Sequence, residues 1–140
     1  MRRQQLVVLA LTLLAFALRL AWLDRYGLWV DEGFTWEMAS APWERFVGLL
    51  ASDMHPPTHY LLLRGWLPLA GESEYALRFP SVLFGVLAVP LLYRLGSRLP
   101  GPGPGVVAAL LLTVAPFHVA FSQEARNYSL MVTLALAATV

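Results

Sequence analysis

The chain has 140 residues, of which 58% are hydrophobic and 14% charged, and its mean hydropathy is +0.60. An ordinary soluble domain is roughly half apolar and a quarter charged, so the solvent implied is lipid. Net charge is +1, all ten basic residues are scattered arginines and there is no cysteine. That excludes a polybasic nucleic-acid surface, disulfide frameworks, thiolate nucleophiles and cysteine metal sites.

Behind Met1-Arg2-Arg3-Gln4-Gln5, the apolar run Leu6 to Leu23 is about the ~20 residues needed to cross a bilayer. Ala15-Phe16-Ala17 resembles a signal-peptide cleavage site, but the run continues past it and further apolar stretches follow, which favours a retained span. From Asp24 to about Tyr75 lies an outer loop that collects most of the acidic residues and Trp29, Trp36, Trp43 and Trp66. Such aromatics suit a membrane interface. Within it, Trp43, Phe46, Val47 and Leu50 follow helical spacing behind Ser40 and Pro42, read as N-cap and early helical positions. That predicts an amphipathic helix on the membrane surface.

Thr58 to Ala70 is about 13 residues and contains Arg64 and Pro68, the length class of interfacial or re-entrant segments. A short tilted span is the alternative and would invert everything downstream. Ala76 to Leu95 is span two, Val106 to Phe121 is span three with a break near Pro116, and Asn127 to Val140 starts a fourth. The Leu99 to Gly105 stretch, with its alternating prolines and glycines, is a tight loop. The apolar end at Val140 reads as the N-terminal part of a longer domain spanning 1–140. If Thr58 to Ala70 stays outside, Arg2, Arg3, Arg94 and Arg98 all fall on the cytoplasmic side, as the positive-inside rule prefers, and the acidic residues all fall outside. The expected fold is therefore all-α, polytopic and transmembrane, with interfacial amphipathic helices in the first outer loop and a cytoplasmic N-terminus.

Three polar clusters could carry chemistry. Asp31 and Glu32 are adjacent carboxylates just after span one, flanked by Trp29, Val30 and Phe34. A carboxylate where apolar surface meets water is a natural proton acceptor at neutral pH, although a solvated interfacial acid is the plain alternative. Asp53 and His55 stand two apart ahead of Pro56-Pro57, which stiffen the turn. Both are possible divalent-metal ligands, or incidental polar residues of a turn. Glu124 and Arg126 lie between spans three and four, either functional or an ion pair. Arg19 and Arg78 fit snorkelling anchors or cations for a lipid phosphate.

The order Leu28-Trp29-Val30-Asp31-Glu32, His55-Pro56-Pro57-Thr58-His59-Tyr60, Ser73 to Ser81, and Ser122 to Tyr128 resembles bacterial GT-C glycosyltransferases related to protein O-mannosyltransferases and the lipid A aminoarabinose transferase. The resemblance implies a catalytic carboxylate at Asp31, with Glu32 beside it and Glu124 as a second loop acid. It also implies a position at His55, with Asp53 near it, that can help hold a divalent metal ion. The donor would be a polyprenyl-phosphate-linked sugar, and Arg126, Arg64 and Arg78 would be partners for its phosphate. An acceptor hydroxyl on a glycan, lipid or protein would attack the anomeric carbon with inversion, with Asp31 as general base or orienter. The other partner is membrane lipid, nucleic acid is not expected, and the site faces outward from the cytoplasmic membrane. A transporter or flippase subunit and an inactive truncated fragment are the competing readings, and the 140 residues alone are expected to be inactive.

Overall fold

In a computed structural model of the chain, residues 2–101 and 103–140 are described. Met1 and Pro102, expected from sequence in the leading segment and the tight loop, lie outside the described residues, as does the side chain of Arg2. Eight helices are described and no strand among the described residues: α1 Arg2–Leu20, α2 Val30–Ser40, α3 Trp43–Ser52, α4 Thr58–Ala70, α5 Glu74–Gly96, α6 Pro104–Val114, α7 Pro116–Ser122 and α8 Tyr128–Thr139. The chain is a membrane protein of all-α fold. Two helices, α1 and α5, are long and apolar enough to cross a bilayer, and α6 with α7, bent by 60° at their junction, make a third span if taken together. At 12 residues α8 is shorter than a full crossing.

Helix α5 is the centre of the bundle, with α1, α6, α7 and α8 packed on it. Its 23 residues reach about 35 Å at 1.5 Å per residue. Small residues let the helices approach closely: Ala15, Val89 and Ala109 form one buried cluster joining α1, α5 and α6, and a Cβ on Gly96 would lie 2.9 Å from Gly105 Cα. Close backbone approach of this kind substitutes for the hydrophobic effect, which is absent between helices in lipid. With Ala15 fully buried, α1 is built into the bundle. Its opposite face, with Leu6, Leu9 and Leu13 exposed, suits contact with lipid chains.

Two prolines in the spans, Pro80 and Pro116, are compensated by side chains of neighbouring helices. A helical proline has no N–H, so the carbonyl four residues earlier loses its partner. For Pro80 that carbonyl is Ala76, and Trp66 Nε1 donates to it at 2.8 Å. For Pro116 it is Leu112, and Arg19 NH2 donates to it at 3.2 Å. Helix α5 therefore runs unbroken through Pro80, while at Pro116 the span bends. Arg19, fully buried, also donates to the carbonyls of Ala15 at 3.1 Å and Thr113 at 3.4 Å, to Ser122 Oγ at 3.3 Å and to His118 Nδ1 at 2.8 Å. Four of its five bonds thus close the break between α6 and α7, the fifth staying within α1.

Helices α2, α3 and α4 form a layer over the N-terminal end of α5. Ala39, Leu63, Leu67, Leu77 and Ala125 make one buried cluster there, and Met38, Phe46 and Tyr60 another. The helix expected at Trp43 to Leu50 is present as α3, and the segment Thr58 to Ala70 is α4 with the same bounds. Two local expectations are corrected. The N-cap of α3 is Pro42, while Ser40 ends a helix, α2, that was read as loop. The buried face of α2 is Glu32, Thr35, Met38 and Ala39; half of it is polar, so no apolar stripe announces the helix.

Candidate active site

The site is built where the first turn of α2 meets the loop between α7 and α8. Asp31 and Glu32 are consecutive, so their side chains leave the helix about 100° apart, and they meet different surroundings. Glu32 is fully buried. Its Oε2 accepts from Arg78 NH2 at 2.6 Å and, at a long 3.5 Å, from the Trp29 amide. Its Oε1 accepts from Arg78 Nε at 2.8 Å and from the Ala125 amide at 2.9 Å. Arg78 spends its remaining N–H groups on the carbonyls of Leu23 at 2.7 Å, Tyr26 at 2.9 Å and Gly27 at 3.2 Å. All five donors are directed at protein acceptors, so Arg78 offers no free N–H to a phosphate in this arrangement. Glu32 and Arg78 tie together the α1–α2 connection, α5 and the α7–α8 loop.

Asp31 faces the other way. Its side chain is 43% exposed, and Oδ2 lies 3.9 Å from Arg126 NH2, whose side chain is only 7% exposed. Arg126 NH1 donates to the Asp31 carbonyl at 3.5 Å and NH2 to His55 Nε2 at 3.2 Å. Because the guanidinium can only donate, His55 Nε2 accepts, and Nδ1–H then donates to Asp53 Oδ1 at 2.8 Å. Tyr60 Oη donates to Asp53 Oδ2 at 2.7 Å. A continuous chain therefore runs Tyr60, Asp53, His55, Arg126, Asp31. Burial pushes the Asp53 carboxyl upward, but the hydrogen bonds from His55 and Tyr60 outweigh it and hold it below its ordinary value. Burial, then the bond to Asp53, pushes the Tyr60 hydroxyl upward. Two neighbours in this chain are incompletely satisfied: Arg126 Nε and both ring nitrogens of His59 are buried without a hydrogen bond. Burial lowers His59 to about 4 against the opposing effect of the Ala125 main chain, with the Arg126 charge adding to the lowering, so the ring is neutral.

The α7–α8 loop is fixed at every residue that matters. Gln123 Nε2 donates to the carbonyls of Arg19 at 3.2 Å and Ala21 at 2.9 Å, capping α1. The Ala125 amide is held by Glu32, and Ser81 Oγ donates to the Arg126 carbonyl at 3.1 Å. Glu124 stands on the Glu32 side, in the wall of a cleft of about 570 Å³ that also takes in Trp22, Tyr26 and Trp29. Burial, and then the charges of Glu32 and Asp31, hold its carboxyl above the ordinary range against Arg126 and Arg78.

The structure thus brings Asp31, Asp53, His55 and Arg126 together, sets Glu124 beside the Glu32–Arg78 pair in the lining of that cleft, and leaves Arg64 elsewhere. Arg64 NH1 donates to the carbonyls of Ala39 at 3.2 Å and Ala41 at 2.7 Å and its guanidinium lies over the Phe46 ring at 4.7 Å. It caps the C-terminus of α2, about 12 Å along the helix from Asp31 at 1.5 Å per residue. The implied metal does not fit these residues. Asp53 and His55 are engaged with one another, the open His55 nitrogen faces a guanidinium, and no group of three His, Asp, Glu or Cys able to hold a metal occurs among the described residues. Sequence reasoning passed over Tyr60, Ser81, Gln123 and His59. His59 and Tyr60 lie in the first turn of α4, one residue past the His-Pro-Pro turn, and a helix opening behind a stiff turn is the feature that could have marked them.

No curated protein matches the chain, and no solved structure does. The family model for dolichyl-phosphate-mannose-protein mannosyltransferases matches residues 54–140. The matched stretch includes His55, Arg78, Glu124 and Arg126, while Asp31, Glu32 and Asp53 precede it. Since it covers more than half of a chain whose spans, polar end and buried loop have the arrangement just described, the protein belongs to the dolichyl-phosphate-mannose-protein mannosyltransferase family of membrane glycosyltransferases.

Proposed function

We propose that the protein transfers a sugar from a polyprenyl-phosphate donor to an acceptor hydroxyl on the outer face of the cytoplasmic membrane. The observation that carries this reading is the half-exposed Asp31 carboxylate set 3.9 Å from a buried Arg126 that still has an unpartnered Nε–H. In the proposed step the acceptor oxygen attacks the anomeric carbon, its proton passes to Asp31, and the bond from that carbon to the phosphate oxygen breaks with the electron pair leaving on phosphate. Arg126 is the cation nearest to the growing phosphate charge, and a guanidinium is suited to it. His55, oriented by Asp53 and Tyr60, holds Arg126 in place. Single displacement inverts the anomeric centre.

The division of charge between the two ends supports the proposed sidedness. The acidic residues from Asp31 to Asp53 gather at one end of the bundle, whereas Arg94, in the last turn of α5, and Arg98, just past it, stand at the other, where Arg98 donates to the Thr139 carbonyl at 2.7 Å. Placing the end that carries Arg94 and Arg98 and no acidic residue in the cytoplasm fits the positive-inside rule. A transporter would be expected to carry ionisable residues near mid-span, but Arg19 is in the last turn of α1 and Arg78 is the fifth residue of α5.

The test is donor consumption. Membranes containing the full-length protein are given a panel of polyprenyl-phosphate sugars, and release of polyprenyl phosphate is measured. Consumption of one donor is expected, and no consumption of any overturns the assignment.

A further inference from the structure

The cleft of about 570 Å³ is lined at its floor by the Glu32–Arg78 pair. Its rim is the α1–α2 connection, with Trp22, Arg25, Tyr26 and Trp29, and its facing wall is Gln123 and Glu124. Within eight residues three aromatic side chains open onto it, and Trp22, Tyr26 and Trp29 are 75%, 71% and 46% exposed.

Trp22 is held at φ +60°, the one non-glycine residue with positive φ among the described residues. A bulky residue in the left-handed region is a genuine outlier, and such strain persists where the surroundings impose it. Here the turn sends Leu23 inward, 2% exposed, with its carbonyl on Arg78, and leaves the indole outside. Glycine would serve that backbone at less cost; what tryptophan adds is an aromatic face on the cleft rim. An interfacial anchor alone needs no such conformation.

The polar part of the cleft is mixed in charge. Its floor is the Glu32–Arg78 pair, whose guanidinium is saturated, its rim carries the Arg25 guanidinium over the Tyr26 ring, and its wall carries the Gln123 amide and the Glu124 carboxyl. What fits is a neutral ring with one apolar C–H face for the aromatic rim and hydroxyls for the carboxyl wall, in a cleft within the usual size of a small-ligand site.

The geometry points to a pyranose subsite in this cleft, with the sugar ring on Trp22, flanked by Tyr26 and Trp29, and a hydroxyl on Glu124. This rests on the glycosyltransferase reading and adds to it which residues hold the sugar ring: the aromatic rim of the α1–α2 connection and Glu124.

The experiment is saturation-transfer NMR on the full-length protein in lipid nanodiscs, with methyl α-mannopyranoside, methyl α-glucopyranoside and methyl α-galactopyranoside as probes. Saturation of at least one glycoside is expected, falling about fivefold or more in Trp22→Gly, which keeps the left-handed turn without strain, and persisting in Trp22→Phe. Asp31→Asn should bind as the wild type does. A polyprenyl-phosphate sugar that displaces the glycoside assigns the subsite to the donor, and failure to displace it assigns the subsite to the acceptor; both support the site. No saturation of any probe, equal saturation in Trp22→Gly, or equal displacement by sugarless polyprenyl phosphate overturns it. Glycoside binding without consumption of any donor would leave the subsite standing and remove the transfer reaction, so the two failures are separable.

Discussion

Two clusters share the first turn of α2 and differ in one respect. Around Glu32 and Arg78 every charged donor is matched to an acceptor and almost nothing is exposed. Around Asp31, Arg126 and His55 the carboxylate is half open, the ion pair is a loose 3.9 Å, and buried nitrogens on Arg126 and His59 lack partners. A saturated buried ion pair has nothing left for a substrate, and its removal leaves a charge stranded. An unsaturated cluster has unmade interactions that a ligand can complete. The contrast separates a residue that builds the site from its immediate neighbour that acts in it.

Breaking the closed cluster should have the largest effect. Arg78→Met strands the fully buried Glu32, and Glu32→Met strands Arg78; each should cost about 3–5 kcal/mol, read as loss of folded protein after detergent extraction. The double variant Glu32→Met/Arg78→Met should recover much of that loss, since no unpaired charge remains. Recovery would show that the pair is architecture. Failure to recover would mean that the carbonyls of Leu23, Tyr26 and Gly27, which also rely on Arg78, matter more than the charge.

The acidic residues, the spans and the two surface helices were legible because each rests on composition or period. Apolar length marked α1 and α5, and spacing marked α3. What was not legible is the partition of roles among charges. Glu32 and Asp31 look equivalent in a sequence, and only the 100° turn between them, together with an Arg78 placed 46 positions later, makes one internal and the other open. Arg64, Arg78 and Arg126 are likewise three arginines of one type. Arg64 donates to main-chain carbonyls of a remote segment and Arg78 to three such carbonyls besides Glu32, and main-chain acceptors carry no sequence pattern. The helix carrying Asp31 was missed because its buried face is half polar.

The broken span offers the next test, since Arg19 closes it without an acid. Arg19→Met should free the Leu112 and Thr113 carbonyls, each worth about 1–3 kcal/mol when buried and unpaired, and lower the thermal midpoint, whereas Arg19→Lys should retain part of the stability. Gly85→Ala presses on the same place, because its Cβ would fall 2.7 Å from Ser122 Cβ and 3.1 Å from Arg19 Nε; overpacking of this kind costs about 1–3 kcal/mol. An unchanged midpoint in both would remove Arg19 from the account of the break.

A smaller effect belongs to pH. His59 is neutral in the fold, with its pKa lowered from 6.5 to about 4 by burial. A group with a lowered folded pKa contributes stability above its unfolded pKa, and that stability is lost as pH falls through the folded value. Stability should therefore decline between about pH 6.5 and 4, by no more than about 3 kcal/mol, and His59→Gln should flatten that part of the profile. An equal slope in the variant would assign the acid sensitivity to other groups.

The most direct measurement compares Asp31→Asn with the wild type at equal abundance in membranes, following donor consumption and the thermal midpoint together. The separation of roles predicts a midpoint within about 2 °C of wild type and turnover reduced about 100-fold or more. Turnover at the wild-type rate in Asp31→Asn, or loss of the fold in place of activity, would contradict it.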